Sequence, residues 1–89
     1  MTWGEGFLRV AQDREIKGET YRVLFTLIGS ANGQSLTNIT QAQIATILGM
    51  TPRSVNRAIK LLDQKQIISK RSEGGKLVGY RIHEYFGVK

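Results

Sequence analysis

In residues 40–60, T-Q-A-Q-I-A-T-I-L-G-M-T-P-R-S-V-N-R-A-I-K, two short stretches of helical periodicity flank a Gly-Met-Thr-Pro interruption. Thr40 and Gln43 have the spacing of a capping box, which predicts that a helix begins there. Gly49 is suited to leave that helix in a left-handed conformation. We therefore expect a first helix that ends near Gly49, with a buried stripe of Ile44, Ile47 and Leu48.

A second helix is predicted directly after this break. Thr51 is a favourable N-cap, and Pro52 suits the first helical position because its missing N–H costs nothing there. At 100° per residue the helix divides into two arcs. The apolar arc contains Val55, Ala58, Ile59 and Leu62, and the polar arc contains Arg53, Asn56, Arg57, Lys60 and Gln64. Two short helices joined by a tight turn form a helix-turn-helix.

The chain before this region predicts one more helix and two short strands. From Glu19 the apolar spacing is helical and gives a stripe of Tyr21, Leu24, Phe25 and Ile28. Turn-forming residues at 29–33 should end this helix, and Leu36–Ile39 suggests a small strand. Phe7–Val10 suggests another short strand. Tyr21, Phe25 and Tyr80 are expected in the core.

The C-terminal part predicts a β-hairpin. Strands are expected over residues 67–71 and 76–82, with a turn at Ser72–Gly75. Val78, Tyr80 and Ile82 alternate onto one face, which should point inward. The predicted fold class is therefore mainly α with a small β-hairpin (α+β).

Length and charge limit the function classes. The 89 residues form one small domain with a net charge of +6. Basic and acidic side chains balance over residues 1–50, so the whole excess lies in residues 51–89. A basic field on one side of a domain favours a polyanionic partner, although a solvated basic face is the alternative.

Other classes are disfavoured by composition. The chain has no cysteine, which excludes a disulfide scaffold and a thiolate zinc site and suits a cytoplasmic protein. The N-terminus lacks the basic and apolar regions of a signal peptide. The longest apolar run, Val23–Ile28, is far shorter than the ~20 residues that span a bilayer, so no membrane partner is expected.

Residues 40–60 resemble the helix-turn-helix of bacterial winged-helix proteins. Residues 54–68, S-V-N-R-A-I-K-L-L-D-Q-K-Q-I-I, are similar to the segment that joins recognition helix and wing in Crp-like and MarR-like regulators. The span 18–86, with its E-T-Y-R-V-L and Y-R-I-H-E-Y-F ends, also resembles the winged-helix part of plasmid replication proteins of the RepL type. The resemblance implies a winged helix-turn-helix of three helices plus a wing over 18–86, an N-terminal arm or strand over 1–17, and a tail at 87–89.

Two positions depart from the family pattern. Gln66 stands where glycine commonly precedes the first wing strand, so either a non-glycine residue adopts a left-handed conformation, at about 1 kcal/mol, or the loop differs. Leu61 occupies a position that is often charged in the family, which suggests a partner surface.

The polar arc suits double-stranded DNA. A helix fits the major groove, where Arg can bind guanine and Asn can bind adenine. The wing cations suit phosphate or minor-groove contact. The expected DNA-binding residues are Thr51, Arg53, Ser54, Asn56, Arg57 and Lys60 on the recognition helix, Thr40 and Gln41 at the start of the preceding helix, and Lys70, Arg71 and Lys76 in the wing.

Two other binding functions stay open. A winged helix can serve as a protein–protein assembly module, in which case Leu61, Tyr85 and Phe86 would matter most. RNA binding is disfavoured because the aromatic side chains are expected in the core. Whether two copies form a homodimer is also open.

No enzyme is expected, and no cofactor or metal. His83 is the only histidine and has no spaced partner, and Gly75-Lys76 lacks the earlier glycine of a phosphate-binding loop. The expected role is in plasmid or phage replication initiation or in transcription regulation, with the corresponding machinery as a further partner.

Overall fold

A computed structural model describes residues 3–31 and 35–83 of the chain. Its elements in order are α1 (Trp3–Gln12), α2 (Gly18–Ala31), β1 (Leu36–Thr37), α3 (Gln41–Leu48), α4 (Pro52–Gln64), β2 (Ile68–Glu73) and β3 (Lys76–Ile82). Helices and a small antiparallel sheet confirm the α+β winged helix-turn-helix class. Tyr85, Phe86 and the tail at 87–89 lie outside the described residues.

The predicted N-terminal strand is wrong, because residues 7–10 belong to helix α1. Gly6 and Val10, one helical turn apart, are both buried, whereas Phe7 and Leu8 are exposed. The Tyr21 hydroxyl of α2 donates to the Val10 carbonyl at 3.1 Å. A short apolar run does not distinguish strand from helix, and here packing of one helical face on α2 decides.

Helix α2 confirms most of the predicted stripe, since Leu24 is in the core and Tyr21 and Ile28 pack against it, but it also buries residues outside that stripe. Val23, Leu24, Leu27 and Ala31 are in the core, whereas Phe25 is 57% exposed. Tyr21 lies at the edge of the core and stacks on Phe25, with ring centroids 6.4 Å apart. The helix is apolar on two sides, so periodicity alone allowed two choices for the inner stripe.

Helix α3 begins and ends as predicted. Thr40 and Gln43 form both bonds of the capping box, and Gly49 adopts φ 64°. Ile44 and Ala45 are buried and Leu48 is half-buried. Ile47, however, is 63% exposed, so its predicted place in the core is wrong. Ile47 therefore lies outside the side of α3 that packs on α2 and α4, which contains Ile44 and Ala45.

Helix α4 confirms the division into two arcs. Val55, Ala58, Ile59 and Leu62 are buried, and Thr51 caps the helix with Pro52 in its first turn. Leu61 packs against the core at its edge and is half-buried. It therefore contributes to packing in the described part of the molecule, and its role in a partner surface stays a prediction.

The sheet has the strand order β1–β3–β2, and both pairings are antiparallel. Strand β2 starts and ends later than predicted, so the hairpin turn is the shorter Gly74-Gly75, both with positive φ. A register shift follows Arg71. Tyr80 and Ile82 are buried as predicted and Val78 is half-buried, so the inner face of β3, the central strand, points toward the core.

The connection from α4 to the wing contains a left-handed residue. Gln66 has φ 60°, which confirms the first of the two alternatives for this position. Backbone N–H groups of Gln66 and Ile67 donate to the Asp63 and Leu62 carbonyls, each at 3.0 Å. These bonds terminate α4 and hold a conformation that costs a non-glycine residue about 1 kcal/mol.

Candidate nucleic-acid interface

The recognition helix α4 is held at a fixed angle to α3. Met50, buried in the turn, donates its N–H to the Ala45 carbonyl at 3.0 Å. Val55 is fully buried between the two helices. The Arg22 guanidinium of α2 donates to the Leu48 carbonyl at 2.9 Å and so satisfies an acceptor at the end of α3. These contacts make the helix pair a rigid support for the outer side chains of α4.

The outer face of α4 is basic. Arg53, Arg57 and Lys60 are exposed as predicted, and Asn56 is half-buried at the side that faces α3. The three cations repeat at three- and four-residue spacing, so they lie along one side of the helix. Within residues 3–31 and 35–83, none of these three cations takes part in an ion pair. This side of α4 can therefore present all three charges to a DNA groove.

The predicted residues at the start of α4 are partly used by the cap. Thr51 Oγ1 accepts from the Ser54 N–H at 3.1 Å and donates to Ser54 Oγ at 3.0 Å. Pro52 has no N–H, so two of the first three helical positions offer no free N–H group. The backbone at this end therefore offers few free N–H donors, and Arg53 is the exposed cation beside it.

Thr40 and Gln41 at the start of α3 differ in their surroundings. Thr40 is exposed and fully engaged in the capping box, with bonds of 3.1 Å and 2.9 Å to Gln43. Gln41 Nε2 donates to Asn56 Oδ1 at 3.3 Å. Gln41 therefore links the start of α3 to α4.

The three wing residues do not form one cluster of free cations. Lys70 and Lys76 are exposed, whereas Arg71 is half-buried. Arg71 Nη1 donates to the Thr37 carbonyl at 3.3 Å and to Asn38 Oδ1 at 3.0 Å. Arg71 therefore fastens the wing to β1, and Lys70 and Lys76 are the better candidates for phosphate contact.

A second charged cluster lies at the other end of α4. Lys65 contacts Asp13 at 3.0 Å and Glu15 at 2.6 Å, both in the connection between α1 and α2. Hydrogen bonding to Glu15, then to Asp13, raises the pKa of Lys65. The bond from Lys65, followed by the Glu15 backbone N–H, lowers the pKa of Asp13. This cluster anchors the N-terminal segment to the end of the recognition helix.

Sequence reasoning missed two structural contacts at the site. The bond from Gln41 to Asn56 and the tether of Arg71 join residues far apart in the chain, and no local signal marks either. A third omission had a signal: Gly79 lies in a strand interior, which is typical of close backbone approach. A Cβ at Gly79 would lie 2.0 Å from the Thr37 carbonyl oxygen.

The described part of the chain offers neither a metal-binding cluster nor a membrane-spanning helix. Residues 3–31 and 35–83 contain no group of three His, Asp or Glu side chains that could hold a metal ion. Within those residues no helix combines the length and the apolar character that crossing a membrane requires.

A comparison with known protein families identifies the family of this chain. The profile of the Crp-like helix-turn-helix domain matches residues 20–83, which run from α2 to the end of the wing. No curated protein and no solved structure matches the chain. The match confirms the Crp-like resemblance, while the MarR-like and RepL-type resemblances stay predictions. Since the match covers most of the chain, the protein belongs to the Crp-like helix-turn-helix family and carries a DNA-binding domain of that type.

Proposed function

We propose that this domain binds specific sites in double-stranded DNA by inserting α4 into the major groove. Arg53, Arg57 and Lys60 would face base edges and flanking phosphates, with Asn56 beside them. The observation that carries the proposal is the exposed basic side of α4 on a rigid helix-turn-helix. The Crp-like family match supports the same assignment.

The wing would extend the footprint beyond the groove. Lys70 and Lys76 are exposed on either strand of the hairpin, close to its Gly74-Gly75 turn. Cations placed in this way suit sequence-independent phosphate contacts, which set register and affinity. Arg71 holds the wing in place through β1 and contributes less directly.

The biological role that fits best is transcription regulation, because the matching family is Crp-like. Plasmid or phage replication initiation is the second role, supported by the resemblance of both ends of the domain to RepL-type proteins. Both roles need the same specific DNA contact, and they differ in the machinery that the bound protein recruits. Assembly with an acidic protein partner is the rival function.

The test compares two cation variants after selection of a preferred site from random duplexes. Arg57→Ala should weaken binding to the selected site by about 1–3 kcal/mol and relax the preference at one base pair. Lys76→Ala should weaken binding to selected and random duplexes alike and reduce the salt slope by about 1. Arg14→Ala, which removes an exposed cation between α1 and α2, controls for the loss of net charge.

If Arg57→Ala weakens binding to selected and random DNA equally, Arg57 does not determine the preferred base sequence. If the wild type enriches no sequence and its complexes are insensitive to salt, the protein-assembly function is the correct one. A palindromic selected site would indicate that two copies bind with two-fold symmetry.

A further inference from the structure

The two ends of the Asn56 amide do not have equal access to the outer face of α4. Asn56 Oδ1 accepts from Gln41 Nε2 at 3.3 Å, and both side chains are half-buried between α3 and α4. An asparagine carries its acceptor oxygen and its NH2 group on different sides of one carbon. With the oxygen turned toward α3, the NH2 group is the end that remains for the outer face.

The Gln41 amide also lies beside the buried hydroxyl of Tyr80 on β3, which makes no hydrogen bond with the described residues. Burial raises the pKa of Tyr80, so the hydroxyl keeps its proton at neutral pH. A neutral phenol both donates and accepts, so either end of the Gln41 amide is compatible with it. The orientation of Gln41 is therefore set by the bond from its Nε2 to Asn56 Oδ1.

The three cations on the outer face of α4 are also donors. Arg53, Arg57 and Lys60 carry N–H groups and no acceptor. In the major groove, guanine presents two acceptors, O6 and N7, and thymine presents one, O4, whereas adenine and cytosine each present an amino donor. A donor therefore favours guanine over adenine and cytosine, because a base amino group placed against it would be left without a partner.

We propose that Gln41 is a positioning residue that makes Asn56 a hydrogen-bond donor, so that the domain selects guanine over adenine and cytosine at the base pair that Asn56 faces. Asparagine usually reads adenine with its oxygen and its NH2 group together. The bond to Gln41 removes the oxygen from that role. This inference rests on the proposed insertion of α4 into the major groove and adds the base preference of one position.

The test reverses the amide of Asn56 by one isosteric change. In Gln41→Glu the carboxylate can only accept, so it bonds the NH2 group of Asn56 and turns Oδ1 outward. Random duplexes are selected with the wild type, with Gln41→Glu and with Asn56→Ala. The base pair whose preference disappears in Asn56→Ala is the one that Asn56 reads. At that pair we expect the wild type to enrich guanine and Gln41→Glu to lower the ratio of guanine to adenine plus cytosine by roughly tenfold.

Gln43→Glu is the matched control for added negative charge. Gln43 lies on the same helix, and its oxygen accepts from the Thr40 N–H, a bond that a carboxylate can also make. This variant should lose affinity uniformly and keep the base preference. Thermal unfolding of each variant verifies that it is folded.

Three results are decisive. A change of preferred base confined to the Asn56 pair supports the inference. The same preferred base in the wild type and in Gln41→Glu, with only a uniform loss of affinity, overturns it while DNA binding stands. Failure of the wild type to enrich any sequence overturns the proposed function itself.

Discussion

Replacing Gly79 by alanine should separate β1 from β3. A Cβ at this position would lie 2.0 Å from the Thr37 carbonyl oxygen and 3.0 Å from Asn38 Cα, whereas ordinary contact begins at 3.4 Å. Both obstacles are backbone atoms, so no side-chain rotation relieves the clash. The two strands must move apart by about 1.4 Å, the difference between 3.4 Å and 2.0 Å.

The cost follows from what this movement breaks. Overpacking costs about 1–3 kcal/mol, and each lost hydrogen bond adds about 0.5–1.5 kcal/mol. The bonds at risk are those that pair Leu36 and Thr37 with β3, and the bond from Arg71 to the Thr37 carbonyl. With the overpacking cost and the loss of one of these bonds, we expect Gly79→Ala to lower the free energy of unfolding by roughly 2–4 kcal/mol, which corresponds to a decrease of about 10–25 °C in Tm for a domain of this size.

Urea unfolding followed by circular dichroism measures the change, with Gly29→Ala as the matched control. Gly29 lies inside α2, is exposed, and would place its Cβ in open space. Gly29→Ala should therefore stabilise the domain by about 0.5–1 kcal/mol through helix propensity. An unfolding midpoint for Gly79→Ala equal to that of the wild type would refute the close approach of β1 and the reasoning built on it.

Two further predictions concern the end of α4. Gln66→Gly should raise the free energy of unfolding by about 1 kcal/mol, because glycine adopts φ 60° without the steric cost that glutamine has; a loss of stability would mean that the glutamine side chain makes a stabilising contact. Asp13→Asn should destabilise the domain at neutral pH, and the difference from the wild type should disappear as the pH falls below 3.8, the ordinary Asp pKa. The sign follows from the lowered pKa of Asp13: the bond to Lys65 stabilises the folded state above the unfolded pKa and is lost as the folded carboxylate is protonated. A difference in urea midpoint that stays constant from pH 7 to pH 2.5 would contradict this assignment.

Much of the candidate site could be predicted because its signals are local. The two caps at Thr40 and Thr51, the left-handed Gly49 and the apolar arc of α4 all depend on residues within one or two helical turns. The exposed positions of Arg53 and Arg57 follow from that arc by helical geometry. Sequence reasoning therefore located the basic face correctly without any knowledge of tertiary contacts.

The errors have a common physical origin. A small domain buries only part of its apolar surface, and both Phe25 and Ile47 remain exposed on their helices. Each helix has apolar residues on more than one side, so periodicity alone did not decide which side faces the core. The segment 7–10 was too short for its period to be read, and it is helical. In each case the choice depends on which neighbouring element covers the residue, and that neighbour is distant in the chain.

The division between sequence and tertiary structure is clearest at the recognition helix itself. Capping side chains, proline and glycine act on the backbone within a few residues, so the sequence alone determined where α3 begins and ends, where α4 begins and which side of α4 is apolar. Only the tertiary structure decided that Gln41 bonds Asn56, that Arg71 bonds β1, and that Gly79 lies under the Thr37 carbonyl. Those contacts join segments 15 to more than 30 residues apart, and they exist only because packing of the core brings the segments together.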